Sequence, residues 1–436
     1  MKRLLLLMNI LSLLLYSTEM SIKPHFLSQK PSFYAVKAPK SCSVKNQKDY
    51  VYKALHDSYL WRDETLFLDS TDRYSSPEEL LSALKNQNDF FSHIIDFKKA
   101  NGFFGNGRFY NFGFIPFLVE LKSGKEALAV GFVYPNSPAQ NAGLKRGDII
   151  TKIDKTRTTA LNLKRIQKKL QNDKRVTFTF WDKGKRHKKR VIKYGYGVHT
   201  ISNVKIFHIK NKKVGYMVLS DFITSQKDEM DRLFGKFKSA KVDELIVDLR
   251  YNGGGDTTTA DHLASLIGGT NLSNKVSTNY LFNAKYSNLN YTSYFEDYNK
   301  NQLNLNRLIV ITSKRTCSAS EQLIKNLKAS GNNMEIIQVG QQTCGKPYAY
   351  NSLGIFCNKA LFLINTKAQN SDNEMISPNG LYPTCQVSDN IYKSLGDKEE
   401  NSLKEALYYI VNNQCSAQIT ENSYRVIDVK SNYFDK

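Results

Sequence analysis

Two runs dominated by apolar residues in the second half of the chain place the strongest constraint on its fold. Glu244–Leu249 and Leu308–Ile311 do not alternate between apolar and polar residues, and each is followed by a turn and a helical pattern. Such runs are typical of parallel strands that are buried on both faces and connected by helices. With Glu335–Val339 as a further strand, residues 199–415 are predicted to form an α/β domain.

Length and composition favour a globular protein of several domains. The chain has 436 residues, of which 41% are hydrophobic, and this length predicts about two to four domains. The formal charge of +22 comes from lysines along the whole chain, so we interpret it as solvated surface and predict no nucleic-acid partner. The dense basic run Lys183–Arg190 is predicted to form a hairpin tip, and peripheral membrane association through this tip is a weaker alternative.

The first residues resemble a secretory signal. The basic segment Met1–Arg3 precedes the apolar stretch Leu4–Leu15. This stretch is shorter than the ~20 apolar residues of a membrane-spanning helix. We therefore predict a signal peptide at residues 1–18, a proline-containing tether at residues 19–45, and export to the periplasm or cell envelope.

The six cysteines are predicted to form disulfides, because export delivers a chain to an oxidising compartment. The sequence leaves their connectivity open. Cys344 with Cys357 and Cys385 with Cys415 are two candidate pairs. A zinc site is disfavoured, since no CxxC pair occurs and no histidine clusters with these thiols. No metal and no other cofactor is predicted.

The first half of the chain divides into a helical part and a strand-rich part. Residues 46–98 show helical spacing and are predicted to form an N-terminal helical region. Residues 99–198 alternate in strand fashion and include Ser137–Ile150, which reads SPAQNAGLKRGDII. This segment resembles the PDZ domain, in the circularly shifted form found in bacterial proteases.

The PDZ resemblance implies a peptide-binding loop at Phe112, Gly113 and Phe114. In such a loop, backbone amides bind the C-terminal carboxylate of a peptide, and the peptide adds as a strand to the open sheet edge. The alternative is that these three residues form only a strand with a tight glycine.

Ser318 has the surroundings that a serine nucleophile needs. It follows a predicted strand and a short turn, and Ala319 begins the next helix, where unpaired amides carry partial positive charge. The glycine run that contains Gly254 could bring further amides to a developing oxyanion. A phosphate-binding loop is disfavoured, because this run lacks a Gly-Lys-Ser/Thr ending. The common alternative role for Ser318 is a plain helix N-cap.

Lys346 is the candidate general base, since no histidine lies near it or Ser318 in the sequence. A lysine must be neutral to accept a proton, and burial favours the neutral form. Lys346 would take the proton of Ser318 during acylation and return it to the leaving amine.

Three motifs identify a family that the chain resembles. Ser318–Glu321 reads SASE, Thr343–Lys346 reads TCGK and Asp248–Gly255 reads DLRYNGGG. In this order, behind a PDZ-like segment, they resemble the C-terminal processing (tail-specific) serine proteases over residues ~45–412. The resemblance implies a multidomain α/β (α+β) fold whose ββα core is related to crotonase and the caseinolytic protease. It also implies a dyad of Ser318 and Lys346, oxyanion donors at the amides of Gly254 and Ala319, and supporting side chains at Asp248, Arg250 and Glu321.

Tyr350 departs from the family pattern, in which a glutamine at this position orients the lysine. Either the Tyr350 hydroxyl bonds to Lys346 or a different residue takes that role. Cys317 and Cys344 each lie close to a candidate catalytic residue. A disulfide between them is therefore an alternative to the pairing of Cys344 with Cys357.

The sequence leaves three functions open. The first is an exported serine endopeptidase whose PDZ domain binds the free C-termini of protein or peptide substrates, with or without an activating adaptor. The second is a catalytically weak or inactive scaffold that itself acts as a peptide-binding adaptor. The third uses His262 as the base, although His262 lies within a predicted helix. Residues 416–436 are predicted to be a loosely held polar tail.

Overall fold

The computed structural model describes residues 36–104, 107–297, 300–351, 353–417 and 424–427. The predicted signal peptide, residues 19–35 of the predicted tether and most of the predicted tail lie outside the described residues. Among the helices that are described, none has both the length and the apolar character of a membrane span.

The N-terminal region begins with two helices that pack against each other. Ser43 and Ser76 cap them, each accepting a hydrogen bond from an amide of the first turn. The elements are α1 Val44–Asp57, α2 Pro77–Leu84, β1 His93–Asp96 and α3 Phe97–Phe104. The prediction of a wholly helical region is wrong at β1, which pairs antiparallel with residues 359–362. The spacing of apolar residues within this region gives no sign of the strand, because its pairing partner at residues 359–362 is distant in the sequence.

The second region, residues 108–197, is built on an antiparallel sheet. Its elements are β2 Arg108–Asn111, β3 Phe114–Leu121, β4 Glu126–Val133, α4 Pro138–Asn141, β5 Ile149–Ile153, β6 Thr156–Arg157, α5 Leu163–Asn172, β7 Arg175–Asp182, β8 Lys185–Ile192 and β9 Tyr194–Gly197. The strand order is β3-β4-β5-β7-β8. Helix α5 covers one face, where Leu163 and Ile166 share a core with Leu128 and Phe178.

The basic run lies mostly on a strand and not at a hairpin tip. The turn contains only Lys183 and Gly184, and the run continues along β8, which pairs with β7 over its whole length. The predicted tip is therefore wrong for residues 185–190. Lysine and arginine side chains on an edge strand discourage pairing with another chain, which accounts for the run structurally.

The second half of the chain forms the predicted α/β layer. Its elements are β10 Ile201–Ile209, β11 Lys212–Leu219, α6 Lys227–Ser239, β12 Glu244–Asp248, α7 Thr257–Gly268, β13 Val276–Phe282, β14 Tyr291–Tyr294, β15 Arg307–Thr312, α8 Ala319–Leu327, β16 Glu335–Gly340, β17 Tyr348–Ala349, β18 Leu353–Phe356, β19 Lys359–Phe362, β20 Thr366–Gln369, β21 Cys385–Gln386, α9 Asn401–Asn412 and β22 Tyr424–Val426. The main sheet has the order β10-β11-β12-β15-β16-β21.

The main sheet is parallel from β11 to β21 and carries helices on both faces. Every residue of β12 is buried, as its continuous apolar run predicts. Phe234, Leu263 and Ile324 place α6, α7 and α8 in one core. Leu403 places α9 in a second core, on the other face. The predicted fold class is confirmed.

Two smaller sheets tie distant parts of the chain together. One has the order β14-β13-β20-β17, and the other, β1-β19-β18, joins the N-terminal region to the second half. Strand β22 pairs antiparallel with β3, at the edge of the sheet of the second region. The prediction of a loosely held tail is therefore wrong for residues 424–426, which form ladder hydrogen bonds.

A buried network of charges joins the second region to the α/β layer. The guanidinium of Arg250 bonds to Asp248, Asp389 and Glu400, and only 1% of its surface is exposed. Arg146, from the loop before β5, also bonds to Asp389. Burial alone would raise the pKa of Asp389, but the two guanidiniums outweigh it and hold this pKa well below its ordinary value. Asp389 is therefore ionised at neutral pH.

Two neighbouring glutamates test how much this network stabilises the fold. Glu400 is fully buried and bonds to Arg250, whereas Glu399 bonds to Lys404 at the surface. Removing one partner of a buried charge network leaves the other charge uncompensated. We expect Glu400→Gln to lower the free energy of unfolding by about 3–5 kcal/mol, as measured by urea denaturation followed by circular dichroism.

The matched substitution Glu399→Gln should change the free energy of unfolding by less than about 1 kcal/mol, because its ion pair is exposed. Equal effects of the two substitutions would contradict a structural role for the buried network.

Candidate active site

The three candidate motifs meet at one edge of the main sheet. Neighbouring strands β12, β15 and β16 run parallel, so their carboxyl ends lie together. The loop after β12 carries Gly254, the turn after β15 carries Ser318, and the loop after β16 carries Lys346. Sites in open parallel sheets form at this edge.

Ser318 is the N-cap residue of α8 and has a strained backbone. Its φ of 57° and ψ of −118° lie in a region that a non-glycine residue enters at a cost of about 1–3 kcal/mol. Contacts on both sides hold it there. The Cys317 amide donates to the carbonyl oxygen of Asn252 at 3.1 Å, and the Ser318 amide donates to the Glu321 carboxylate at 2.9 Å. These contacts hold the Ser318 backbone in its strained conformation at the helix start.

The helix start and the glycine loop approach each other closely. A Cβ atom at Gly254 would lie 2.8 Å from Ser318 Cβ and 3.1 Å from the amide nitrogen of Ala319, so only glycine permits this approach. The Ala319 amide has no acceptor among the described residues. The Gly254 amide, by contrast, donates to Asn252 Oδ1 at 2.8 Å. One of the two predicted oxyanion donors is therefore engaged within its own loop.

Lys346 lies on an aromatic surface. Its Nζ is 3.9 Å from the centroid of the Tyr350 ring and 5.2 Å from that of Phe91. The Tyr350 hydroxyl donates to the carbonyl oxygen of Phe91 at 2.8 Å. The interpretation that this hydroxyl bonds to Lys346 is therefore wrong, because Tyr350 meets the amine with its ring face. Such a contact favours the charged form of a lysine.

The carboxylate of Glu321 connects the serine segment to the lysine segment. It is fully buried on the first turn of α8. The donors are the amides of Ser318 at 2.9 Å, Gly345 at 2.8 Å and Lys346 at 2.9 Å, together with the Thr343 hydroxyl. Burial raises the pKa of Glu321, and the hydrogen bonds from Thr343, Lys346, Gly345 and Ser318 act in the opposite direction.

A disulfide joins the same two segments covalently. Cys317, next to Ser318, is bonded to Cys344, and their Cα atoms lie 5.2 Å apart. The candidate pairing of Cys344 with Cys357 is therefore wrong, because Cys357 is bonded to Cys42.

The third disulfide and two clusters of cysteine and carboxylate groups complete the picture of possible metal ligands in the described residues. Cys385 is bonded to Cys415, as one candidate pairing predicted. Cysteine sulfurs and a carboxylate come within 4.8 Å of one another in two groups, Cys317–Glu321–Cys344 and Cys385–Glu405–Cys415. In both groups the sulfurs are disulfide-bonded, so each retains a single carboxylate as a metal ligand.

Other residues singled out from the sequence lie around this centre. Asp248 accepts hydrogen bonds from the Tyr216 hydroxyl and from the guanidinium of Arg250. His262 lies between Glu296, at 2.6 Å, and Asp231, at 3.2 Å. Both ring nitrogens are thus next to carboxylates, and the alternative role of His262 as base stays a prediction.

The candidate peptide-binding loop leads into β3. The rings of Phe112 and Phe114 pack edge-on against Phe178, with centroid distances of 5.6 and 5.4 Å. Gly113 has a φ of 80°, and a Cβ there would lie 2.1 Å from Ser137 Cβ. Within the described part of the chain, no acceptor bonds to the amides of Phe112 or Gly113. The loop therefore offers backbone donors beside an apolar core.

Three residues of the site were not identified from the sequence. Asn252, whose side-chain oxygen accepts a hydrogen bond from the Gly254 amide, belongs to the DLRYNGGG motif. That motif could have identified it. Asp389 and Glu400 bond to Arg250 from a segment with no motif or periodic pattern. Only the folded chain reveals their role.

Comparisons with known proteins agree with this architecture. A family model described as peptidase family S41 matches residues 213–387, a PDZ domain model matches residues 130–182, and an S41 N-terminal domain model matches residues 46–93. A carboxyl-terminal-processing protease of Picosynechococcus sp. (strain ATCC 27264 / PCC 7002 / PR-6) is 25% identical over 305 residues, which cover 68% of this chain and 70% of the relative.

Solved structures share the fold. A putative S41 protease from Bacteroides fragilis NCTC 9343 has a TM-score of 0.68 and 20% identity, covering 88% of this chain and 99% of that one. Mature CPAF has a TM-score of 0.52 and 11% identity, covering 86% of this chain and 99% of that one. At these identities the similarity shows the fold alone.

Together, the domain matches and the named relative support a serine-type peptidase. The chain belongs to peptidase family S41, as one of the C-terminal processing proteases that carry a PDZ domain. The resemblance predicted from its motifs is confirmed.

Mass mapping of the disulfides tests the geometry around Ser318 directly. We expect digestion without reductant to yield linked peptides for Cys317 with Cys344 and for Cys42 with Cys357. Opening the loop of Cys317 and Cys344 with the double substitution to serine should lower the free energy of unfolding by about 3–4 kcal/mol. Free thiols at both positions, or a link from Cys344 to Cys357, would contradict this arrangement.

Proposed function

We propose that this chain is an exported serine endopeptidase, with Ser318 as nucleophile and Lys346 as general base. Its PDZ domain binds the free C-termini of protein or peptide substrates through Phe112, Gly113 and Phe114. The observation that most supports this proposal is the position of the Glu321 carboxylate, which accepts hydrogen bonds from the backbone amides of both Ser318 and Lys346. A carboxylate in this position fixes the relative placement of the two segments, as proton transfer between them requires.

The proposed chemistry gives each of these groups one role. The neutral amine of Lys346 takes the proton from Ser318 Oγ while that oxygen attacks the scissile carbonyl carbon. The oxyanion that forms is stabilised by the Ala319 amide and, once it leaves Asn252, by the Gly254 amide. The ammonium of Lys346 then gives its proton to the leaving amine, and an acyl-enzyme remains. Water then attacks the acyl-enzyme, with Lys346 again as the base. This step frees Ser318 and releases the new C-terminus of the substrate.

Export is part of the proposal and rests on the N-terminal sequence. The basic and apolar segments at residues 1–15 have a secretory pattern. The three disulfides of the structure are of the kind that persist in oxidising compartments.

Substitution of the dyad tests the mechanism. We expect Ser318→Ala and Lys346→Met each to lower kcat/KM for an unfolded reporter protein by at least about 10³-fold, because the two residues act as a unit. The exposed Lys367 offers a matched control, and Lys367→Met should cleave the reporter at the wild-type rate. Full activity of Lys346→Met, with a wild-type melting temperature, would refute the dyad.

One observation favours the second function, a peptide-binding scaffold of weak or absent activity. The Tyr350 ring contacts the Lys346 amine, and a cation–π contact favours the charged lysine, which is not a base. A fluorophosphonate-type serine probe separates the two functions. Labelling of Ser318 supports the protease, whereas tight peptide binding without labelling supports the scaffold.

The pH dependence of cleavage tests the role of the Tyr350 ring. Tyr350→Leu removes the ring face, which should disfavour the ammonium of Lys346 and move the acidic limb of the kcat/KM profile down by roughly half to one pH unit. Tyr350→Phe keeps the ring and removes only the hydroxyl, so its profile should match that of the wild type. Equal shifts in Tyr350→Phe and Tyr350→Leu would show that the hydroxyl matters and not the ring.

A further inference from the structure

Strand β22 occupies the sheet edge on which a PDZ ligand would add. It pairs antiparallel with β3, so that Tyr424 lies opposite Leu121 and Val426 lies opposite Val119. The Ile427 amide extends the ladder by donating to the carbonyl oxygen of Leu118 at 2.9 Å. β3 is the strand that follows the candidate carboxylate-binding loop. The chain therefore places its own late segment in the position of a bound peptide.

The direction of β22 is also that of a ligand. A peptide whose C-terminal carboxylate sits at the loop must run antiparallel to β3, with its last residues nearest Phe114. The pairing of residues 424–427 with residues 118–121 runs in this sense. Ile427 packs against the PDZ core cluster, as Phe114 of β3 and Leu170 of α5 also do. It thus lies on the α5 side of β3, the side on which a peptide's apolar residues would pack.

The other end of β22 is anchored in the α/β half. Tyr424 is buried in a cluster with Val119, Ala129 and Ile391. Its hydroxyl donates to the carbonyl oxygen of Asp389, whose carboxylate bonds to Arg146 and Arg250. Arg425 adds an exposed ion pair with Glu120, with Nε 3.0 Å from the carboxylate.

We propose that residues 424–427 are an internal ligand of the PDZ domain and compete with substrate C-termini for β3. The proposal rests on the peptide-binding role given under Proposed function. One strand edge offers a single row of amides and carbonyls, so β22 and a substrate strand exclude each other. A substrate binds only the fraction of molecules in which β22 has left, and its apparent affinity is reduced by that fraction.

Peptide binding to the full chain tests the competition. The background is Ser318→Ala, and the probe is a fluorescein-labelled octapeptide with an apolar last residue and a free carboxylate. Ile427→Asp places a charge against the apolar PDZ core and should release β22, so that the probe binds on the order of 10-fold more tightly. The neighbouring Val426 is 49% exposed, and Val426→Asp should bind the probe within about 2-fold of the parent.

A charge reversal gives a second test that leaves the core unchanged. Arg425→Glu places like charges at the Arg425–Glu120 pair and should tighten probe binding by about 2- to 5-fold. The double variant Arg425→Glu with Glu120→Arg restores opposite charges and should return the affinity toward that of the parent. Hydrogen exchange should show faster exchange of the β3 amides in Ile427→Asp than in Val426→Asp.

The outcomes separate the two proposals. If the probe binds equally well to the parent, Ile427→Asp and Arg425→Glu, the peptide-binding role stands and the internal ligand is refuted. If the probe binds to none of them, the peptide-binding role and the competition both fail. An amidated probe that binds as tightly as the probe with a free carboxylate would show that the loop of Phe112, Gly113 and Phe114 does not bind the peptide carboxylate.

Discussion

The carboxylate of Glu321 is the constraint on which the rest of the site depends. Ser318 and Lys346 come from different strand ends, and each lies in an irregular backbone segment. Glu321 is buried on the first turn of α8 and accepts hydrogen bonds from the amides of both residues. The disulfide of Cys317 and Cys344 closes the same gap covalently. The strained backbone of Ser318 persists because these contacts over-determine it.

A second set of contacts, around Asp389, connects the segment before the Gly254 loop to the PDZ domain and to β22. Arg250 lies in the segment between β12 and the Gly254 loop and is bound by Asp248, Asp389 and Glu400. Arg146 reaches the same Asp389 from the PDZ domain, and the Tyr424 hydroxyl reaches its carbonyl oxygen. The segment that leads to the Gly254 loop, the PDZ domain and β22 therefore share one cluster of partners around Asp389.

Much of this site could be predicted from sequence, because its chemistry is local. The glycine run, the serine at a helix start and the Gly-Lys turn each have a form that backbone geometry dictates. Other parts depend on long-range pairing and have no local signal. Cys42 with Cys357, β1 with β19, and β22 with β3 join residues more than 250 positions apart. The contact of Lys346 with the Tyr350 ring depends on side-chain packing, which a motif does not encode.

The most direct measurement replaces Glu321 by glutamine and follows reporter cleavage. A glutamine keeps the size of the side chain but presents an NH₂ group to amides that need an acceptor, so Ser318 and Lys346 should lose their alignment. The account predicts a fall in kcat/KM of about 100-fold or more, while Glu374→Gln, at an exposed pair with Lys325, leaves it unchanged. Wild-type kcat/KM in Glu321→Gln would contradict the central role of this carboxylate.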